Sequence, residues 1–367
     1  MKPKKNLQHA LNKAVQYLQS GNRELAVKHL TKFSKGTPNN ATIRRDIGIF
    51  FQQNNMPIKA EMFYRDSLSI NNNQASVYFN LGVIYQSLNK IDQAIEAYTT
   101  ATKLDNDYAK AFANLGYLYN ETGDTENCTK ACLSAKQLAP DDPQIKHMIS
   151  ALGVEEAPDI ADQQYIKNLY DGYAQTYDTH LTVTLKSQTP QLIYQATKQF
   201  TDLSQQDKTI LDLGCGTGIC GELFSANANT LTGVDLSDKM IEAAQKKNIY
   251  NDLYVADISE FLVDKENQYD IIYSSDVLIY IGNLLELFKQ VKTALKEGGV
   301  FTFSTESTDD TQDDFILDST GRYKHNHEYI TRIAGESLLK ILSSKETALR
   351  QQKNKDVIGR IYVLTSE

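Results

Sequence analysis

Three glycines at alternate positions, Gly214, Gly216 and Gly218, follow directly on the apolar run Ile210-Leu211-Asp212-Leu213. Glycine lets the backbone turn sharply and approach a ligand without a Cβ in the way. Such a turn, leading into a helix, presents backbone N–H groups to a nucleoside or its phosphates. Three carboxylates stand at comparable places further on: Asp235 ends the run Thr230–Val234, Asp257 follows Leu253–Ala256, and Asp276 follows Tyr269–Ser274. Asp235 lies 21 residues beyond Gly214, a distance at which a carboxylate can accept hydrogen bonds from both ribose hydroxyls. The chemistry these residues suit is therefore nucleoside binding.

The elements that must position them alternate strand and helix. Strands are expected at Ile210–Leu213, Thr230–Val234, Leu253–Ala256, Tyr269–Ser274 and Val300–Ser304, with helices Asp238–Lys247, Leu284–Leu295 and about 328–342. Two C-terminal strands are expected near 346–351 and 357–364. The alternation predicts a mostly parallel seven-stranded sheet with right-handed crossovers, and the carboxylates then gather at the C-terminal strand edge, where open α/β sheets bind ligands. Before the first strand, Tyr170, Tyr173 and Tyr177 share one helical face. Such a stripe suits a core or a lid, and Tyr177 is the candidate lid contact.

The N-terminal part has a different organisation, a period of 34 residues over 1–142 with units beginning at Leu7, Ala41, Ala75 and Ala109. Small residues recur at fixed slots (Gly48, Gly82, Gly116; Ala60, Ala94) and aromatics at others (Tyr64, Tyr98). Small slots let paired helices approach, and aromatic slots fill the space between pairs. With Pro143–Leu152 as a capping helix, the expected organisation is a repeat domain over 1–153, a linker over 154–163 and an α/β domain over 164–367.

Charge divides along the same lines. Residues 1–153 carry 18 basic and 13 acidic side chains, whereas 154–367 carry 20 and 33, giving +5 and −13. The acidic second half argues against nucleic acid, and the basic excess of the first is too dilute to signal it. No apolar run is long enough for a membrane helix, and Lys2, Lys4 and Lys5 precede no signal-peptide core, so a cytoplasmic protein with no membrane partner is expected. Four cysteines without Cys-His ligand spacing agree with a reducing compartment and no metal site.

The 34-residue units resemble tetratricopeptide repeats. That resemblance implies an α-solenoid whose concave groove binds a protein or peptide, with Asn12, Arg45, Asn80, Lys110, Asn114 and Tyr117 at groove positions. Arg45, Asn80 and Lys110 match part of a carboxylate clamp for acidic C-termini, while Ile49 and Asn114 depart from it. A solvated groove that binds nothing is the alternative.

Asp212 directly before the turn, and the spacing Gly-x-Gly-x-Gly in place of the Gly-x-Gly-x-x-Gly of NAD sites, make the second domain resemble class I S-adenosylmethionine-dependent methyltransferases. Gly233-Val234-Asp235-Leu236-Ser237 with Met240, Ala256-Asp257-Ile258, Tyr269-Asp270-Ile271-Ile272 and Leu295-Lys296-Glu297-Gly298-Gly299 follow in the same order. Together with Tyr170–Leu181, Asp276–Leu284, Phe303–Glu306 and Gly321–His327, they look like predicted methyltransferases with N-terminal tetratricopeptide repeats. The resemblance implies S-adenosyl-L-methionine as cofactor, with a Rossmann-like site of Asp212, Gly214, Gly216, Gly218, Asp235, Leu236, Met240, Asp257, Ile258, Ser274 and Tyr177. In it Asp212 would hold the methionine amino group, Asp235 the ribose and Asp257 the adenine amine.

The methyl acceptor is not named by the resemblance. Asp276, Tyr280 and His325 are the preferred catalytic candidates, with His180 and His327 behind them, because all follow strand ends or lie in lid-like segments. Ser275-Asp276-Val277 stands where DNA adenine and glutamine methyltransferases carry Asn-Pro-Pro-Tyr, which leaves O-, N- or C-methylation of a small molecule or of a protein recruited by the repeats. The alternative is an interaction scaffold whose second domain binds cofactor without turnover.

Overall fold

The computed structural model describes residues 2–308, 313–352 and 355–366, with side chains from Asn6 onward. The chain forms two compact units, Met1–Ile145 and Lys146–Glu367.

The first unit is built of helix pairs: α1 (Lys2–Gln19) with α2 (Arg23–Lys35), α3 (Ala41–Gln53) with α4 (Pro57–Ile70), α5 (Ala75–Ser87) with α6 (Ile91–Leu104), and α7 (Ala109–Glu121) with α8 (Thr125–Leu138). The recurring glycines explain how closely the pairs meet. A Cβ added at Gly82 would stand 2.5 Å from Tyr98 Cε1, and one at Gly48 2.6 Å from Tyr64. Each tyrosine is fully buried, and its hydroxyl donates to a glutamine of the preceding helix: Tyr64 to Gln52 Oε1 at 2.6 Å, Tyr98 to Gln86 Oε1 at 3.1 Å. Asn114 Nδ2 donates in turn to the Tyr98 hydroxyl at 3.0 Å, so this asparagine, expected at a groove position, braces successive repeats.

The second unit begins within helix α9 (Pro143–Ala151), at Lys146, and the stretch after the helix belongs to it. His147 Nε2 bonds Gly321 O at 2.9 Å and its ring stacks on Tyr165. Asp159 O accepts from the N–H groups of Gly282 and Asn283, Ala161 N donates to Tyr280 O, and the Tyr323 hydroxyl bonds Pro158 O. What the sequence presents as an acidic linker is a strap, because its backbone finds partners in loops distant along the chain.

After α10 (Gln163–Tyr173), a single turn α11 (Tyr177–Thr179), a π-helical turn (His180–Thr184) and α12 (Thr189–Lys198), the sheet begins. Its strands are β1 (Lys208–Leu213), β2 (Ala228–Asp235), β3 (Asp252–Val255), β4 (Tyr269–Ser274), β5 (Leu295–Ser307), β6 (Phe315–Leu317), β7 (Tyr323–His325), β8 (Leu339–Gln352) and β9 (Lys355–Ser366). The order is β3-β2-β1-β4-β5-β7-β6, parallel from β3 to β5, with β9 antiparallel to β5 and β8 antiparallel to β9. Helices α13 (Ile219–Phe224), α14 (Asp238–Gln245), α15 (Ile258–Leu262), α16 (Leu285–Ala294) and α17 (His327–Glu336) complete the unit. Side chains alternate between the faces of a strand. Ile210, Ile271 and Tyr273 accordingly join one core with α12 and α13, while Leu211, Leu213 and Ile272 join another with α16 and α17, so both sheet faces are covered.

Two sequence expectations are corrected. The sheet has nine strands among the described residues, since 315–325 forms the hairpin β6–β7 on the far side of β5, where a lid-like segment was expected. The last helix ends at Glu336, well short of 342. Leu338 takes a left-handed φ of 56°, which stops the helix, and the apolar residues from Leu339 onward alternate along β8 instead. No helix among the described residues is long and apolar enough to cross a membrane.

Candidate active site

The glycine turn closes against the neighbouring strand. Gly214 N and Cys215 N both donate to Val234 O, at 2.8 and 2.9 Å, and the left-handed φ values of Gly214 (75°) and Gly218 (88°) are those only glycine adopts without strain. Asp235, at the end of β2, reaches across to this turn. Its Oδ2 accepts from Gly216 N and its Oδ1 from Ser237 N, each at 2.9 Å. Burial still raises its carboxyl above the ordinary range, because the two amides offset only part of the lost solvation. Ser237 caps α14 through Met240 N and donates to Asp171 Oδ1 at 2.5 Å.

Beside the turn lies a cleft of about 940 Å³ including its open mouth, within the range of small-molecule sites. Nine of the expected residues line it: Tyr177, Gly214, Gly216, Asp235, Leu236, Asp257, Ile258, Asp276 and Tyr280. Asp257 has a second task there, since its Oδ1 caps α15 by accepting from Ser259 N and Glu260 N. Tyr177 stands over the turn, its Cε1 being the nearest atom, at 3.8 Å, to where a Cβ on Gly216 would lie. The segment is held there by the Thr217 hydroxyl, which donates to Asp178 Oδ1 at 2.5 Å, and by Lys247, 3.3 Å from Asp178 Oδ2.

The remaining expected residues lie elsewhere. Asp212 sits beneath the turn, 1% exposed, with Oδ2 accepting from the hydroxyls of Tyr250 and Tyr273, both at 2.7 Å. Desolvation pushes its carboxyl up to about 7 despite those bonds. Asp212 does border a narrow extension of the cleft together with Gly214, Gly216 and Asp276. Gly218 packs against Tyr250, Met240 is fully buried, and Ser274 is buried with its hydroxyl on Leu213 O. His325 is a correction to the catalytic set. It lies 2% exposed under the 278–282 loop, with Nε2 bonding the carbonyls of Ile281 and Gly282 and its pKa lowered by burial to about 4. A neutral imidazole holding two carbonyls positions the loop; it does not line the cleft. His327, at the start of α17, hydrogen-bonds the Tyr362 hydroxyl and lies outside the cleft as well.

A second cavity of about 540 Å³ shares Tyr170, Tyr177, Asp276 and Tyr280 with the cleft. Tyr170 donates to the Tyr280 hydroxyl at 3.1 Å and meets the Tyr177 and Tyr280 rings edge-on. Asp276 holds a left-handed φ of 59°, unusual for a residue with a side chain. It is kept there by Ser304 Oγ on its backbone N–H (3.0 Å) and by Arg350, whose Nη1 donates to Oδ1 at 3.0 Å. Arg350 is 2% exposed and bonds Glu306 with its other nitrogen. Neither Arg350 nor Arg322, which also lines this cavity, was anticipated. Arg350 sits on β8 between Leu349 and Gln351, without any local motif that could have marked it. Among the described residues, no group of three or more His, Cys, Asp or Glu could hold a metal ion.

Comparison with known proteins finds matches in both units. Residues 185–344 match the family model of a methyltransferase domain, residues 84–123 that of a TPR repeat and residues 109–142 that of a tetratricopeptide repeat. A malonyl-[acyl-carrier protein] O-methyltransferase of Priestia megaterium is 35% identical over 148 residues, which are 39% of this chain and 52% of that protein. A ubiquinone biosynthesis O-methyltransferase of Nitrosomonas europaea is 27% identical over 103 residues, 27% of this chain and 44% of that one. The chain thus spans about half the length of these relatives. Among solved structures, the 1,6-didemethyltoxoflavin-N1-methyltransferase of Burkholderia thailandensis superposes with a TM-score of 0.45 at 16% identity, covering 58% of this chain and 93% of that one.

Proposed function

We propose that this chain, in which tetratricopeptide repeats precede a methyltransferase domain, is an S-adenosyl-L-methionine-dependent methyltransferase. One observation carries the reading: the glycine turn and the Asp235 carboxylate face the same cleft as Asp257 and Ile258. The residues present fit the cofactor. Gly216 leaves the face of the turn open, Asp235 offers acceptor lone pairs for ribose hydroxyls, and Leu236 and Ile258 offer apolar surface for a base. Asp212 keeps Oδ1 free of hydrogen bonds among the described residues while Oδ2 serves two tyrosines, so Oδ1 suits the amino group of the methionine tail.

When bound, the cofactor supplies a methyl group already activated on a sulfonium. The protein's part is to orient an acceptor and exclude water. Tyr170, Tyr177 and Tyr280, shared by both cavities, form the wall at which acceptor and methyl donor would meet. Asp276, fixed by Ser304 and Arg350, is the group placed to orient an acceptor or receive its proton. Two relatives named O-methyltransferases favour oxygen as the atom methylated. Four free, buried cysteines support a cytoplasmic location, and the repeats support capture of a protein or peptide partner.

Asp235→Ala removes the ribose acceptor. Charge-assisted hydrogen bonds contribute ~1.5–3 kcal/mol each, so calorimetry should show S-adenosylhomocysteine binding weakened by at least about tenfold. Unchanged affinity would sink the assignment. Incubation with methyl-labelled cofactor and cell lysate then separates an enzyme, which yields labelled product, from a cofactor-binding scaffold, which does not.

A further inference from the structure

The second cavity holds two arginines that are used differently. Arg350 bonds two carboxylates, Nη1 donating to Asp276 and Nη2 to Glu306, while its buried Nε has no hydrogen-bond partner among the described residues. Arg322 makes a single hydrogen bond among the described residues, from Nη1 to Gln352 Oε1 at 3.0 Å, and its partner is uncharged. The nearest carboxylate oxygen, Glu306 Oε1, is 3.9 Å from Nε, too far for a hydrogen bond and already engaged by Arg350. The Arg322 side chain is nevertheless only 22% exposed. A guanidinium so far withdrawn from water ordinarily pairs with an anion through its planar fork.

His180 and Asp276 also line this cavity, and burial together with the nearby Arg322 charge lowers the His180 pKa. The rings of Tyr170, Tyr173, Tyr177 and Tyr280 line the same cavity, that of Tyr173 meeting His180 edge-on. The cavity thus combines a cation with spare donors, an aromatic wall and a shared boundary with the cofactor cleft.

We propose that this cavity binds the methyl acceptor, that the acceptor is a small carboxylate-bearing molecule with a planar or apolar body, and that Arg322 anchors its carboxylate. The proposal rests on the cofactor reading of the neighbouring cleft. It makes Arg322 a specificity-determining residue, since an arginine fork discriminates a carboxylate from its neutral amide of the same shape. It also accounts for the Arg350–Asp276–Glu306 cluster, which holds both native carboxylates and leaves Arg322 for the ligand.

The test uses the full chain with saturating S-adenosylhomocysteine and matched probes: 4-hydroxybenzoate against 4-hydroxybenzamide, and 3-phenylpropanoate against 3-phenylpropanamide. Binding is read by ligand-observed NMR titration. The acids should bind about tenfold or more tighter than their amides to the natural protein. Arg322→Gln should collapse that preference to within about threefold, and Arg322→Lys, which keeps the charge, should retain part of it. Calorimetric affinity for S-adenosylhomocysteine should stay the same in both variants, because Arg322 does not line the cofactor cleft. A loss there would reveal general damage and a structural role, and would overturn the proposal. So would equal binding of acids and amides, no acid binding at all, or an acid preference that survives Arg322→Gln. A capped Gly-Asp-Gly peptide and its asparagine counterpart form the last arm. Discrimination of that pair without discrimination of the small acids replaces the small molecule by a protein side chain. If the natural protein fails to bind S-adenosylhomocysteine, the failure lies in the cofactor reading, and the acid–amide comparison is then made without it.

Discussion

Asp212 yields a stability prediction that can be worked through quantitatively. Its carboxyl lies in the core beneath the glycine turn, and burial raises its pKa to about 7, against about 3.9 in an unfolded chain. The folded protein therefore holds this proton more tightly than the unfolded chain does. The contribution to stability is fully present below about pH 4 and is lost as pH rises towards about 7, where the folded group also ionises. Between pH 5 and pH 8 the loss amounts to roughly 2.5 kcal/mol. Asp212→Asn keeps a carbonyl oxygen to accept from Tyr250 and Tyr273 but cannot ionise, so it lacks this pH dependence. Hydrogen exchange of β1 and β4 amides, compared between natural and variant protein at each pH, isolates the Asp212 contribution from every other titrating group. The variant should gain roughly 2.5 kcal/mol relative to the natural protein from pH 5 to pH 8. A difference that stays flat across that range would show that the carboxyl is not held protonated, and would refute the reasoning.

The same logic with opposite sign applies to His325. Its imidazole is lowered to about 4 by burial, so the stability it contributes is complete above about pH 6.5 and falls as pH drops towards 4. Its ring carbon resonances should not shift between pH 5.5 and 8, and an inflection between 6 and 7 would contradict the buried placement. In the repeats, Gly82→Ala puts a Cβ 2.5 Å from Tyr98 Cε1, and overpacking of this kind costs ~1–3 kcal/mol. Hydrogen exchange in α5 and α6 should accelerate accordingly; unchanged protection would mean that Tyr98 moves aside freely.

What was legible in the sequence depended on whether its cause was local. The 34-residue period marked the helix pairs because each repeat must reserve the same small slot for the same ring, as Gly82 does for Tyr98. The parallel strands β1 and β4 were legible because strands covered on both faces carry consecutive apolar residues, as Ile210-Leu211 and Ile271-Ile272 do. The hairpin β6–β7 was not, because its strands are three residues each and acquire a partner only when β7 meets the end of β5 at Glu306 and Ser307. The strap at 158–161 failed for a related reason: its hydrogen-bond partners, near 280 and at Tyr323, are more than a hundred residues away. The final helix was overextended because Leu339 and Ile341 continue an apolar pattern whose helical period ends at the left-handed Leu338.

The site divides along the same line, and the division has a physical basis. Residues that would hold the cofactor lie within one or two positions of a strand end, so Asp235, Asp257 and the glycine turn could be read from runs of a few residues. The acceptor side is assembled from single residues of unconnected elements: Tyr170 on α10, Asp276 after β4, Arg322 before β7 and Arg350 on β8. No spacing relates them. Their grouping follows from charge, because a carboxylate withdrawn from water needs a cation at bonding distance, and Arg350 meets that need for both Asp276 and Glu306. With Arg350 bonded to both carboxylates, Arg322 is the arginine of this cavity whose one side-chain hydrogen bond among the described residues goes to an uncharged partner. The electrostatics of that cavity therefore depend on a pairing between β5 and β8 that neither segment records in its own sequence.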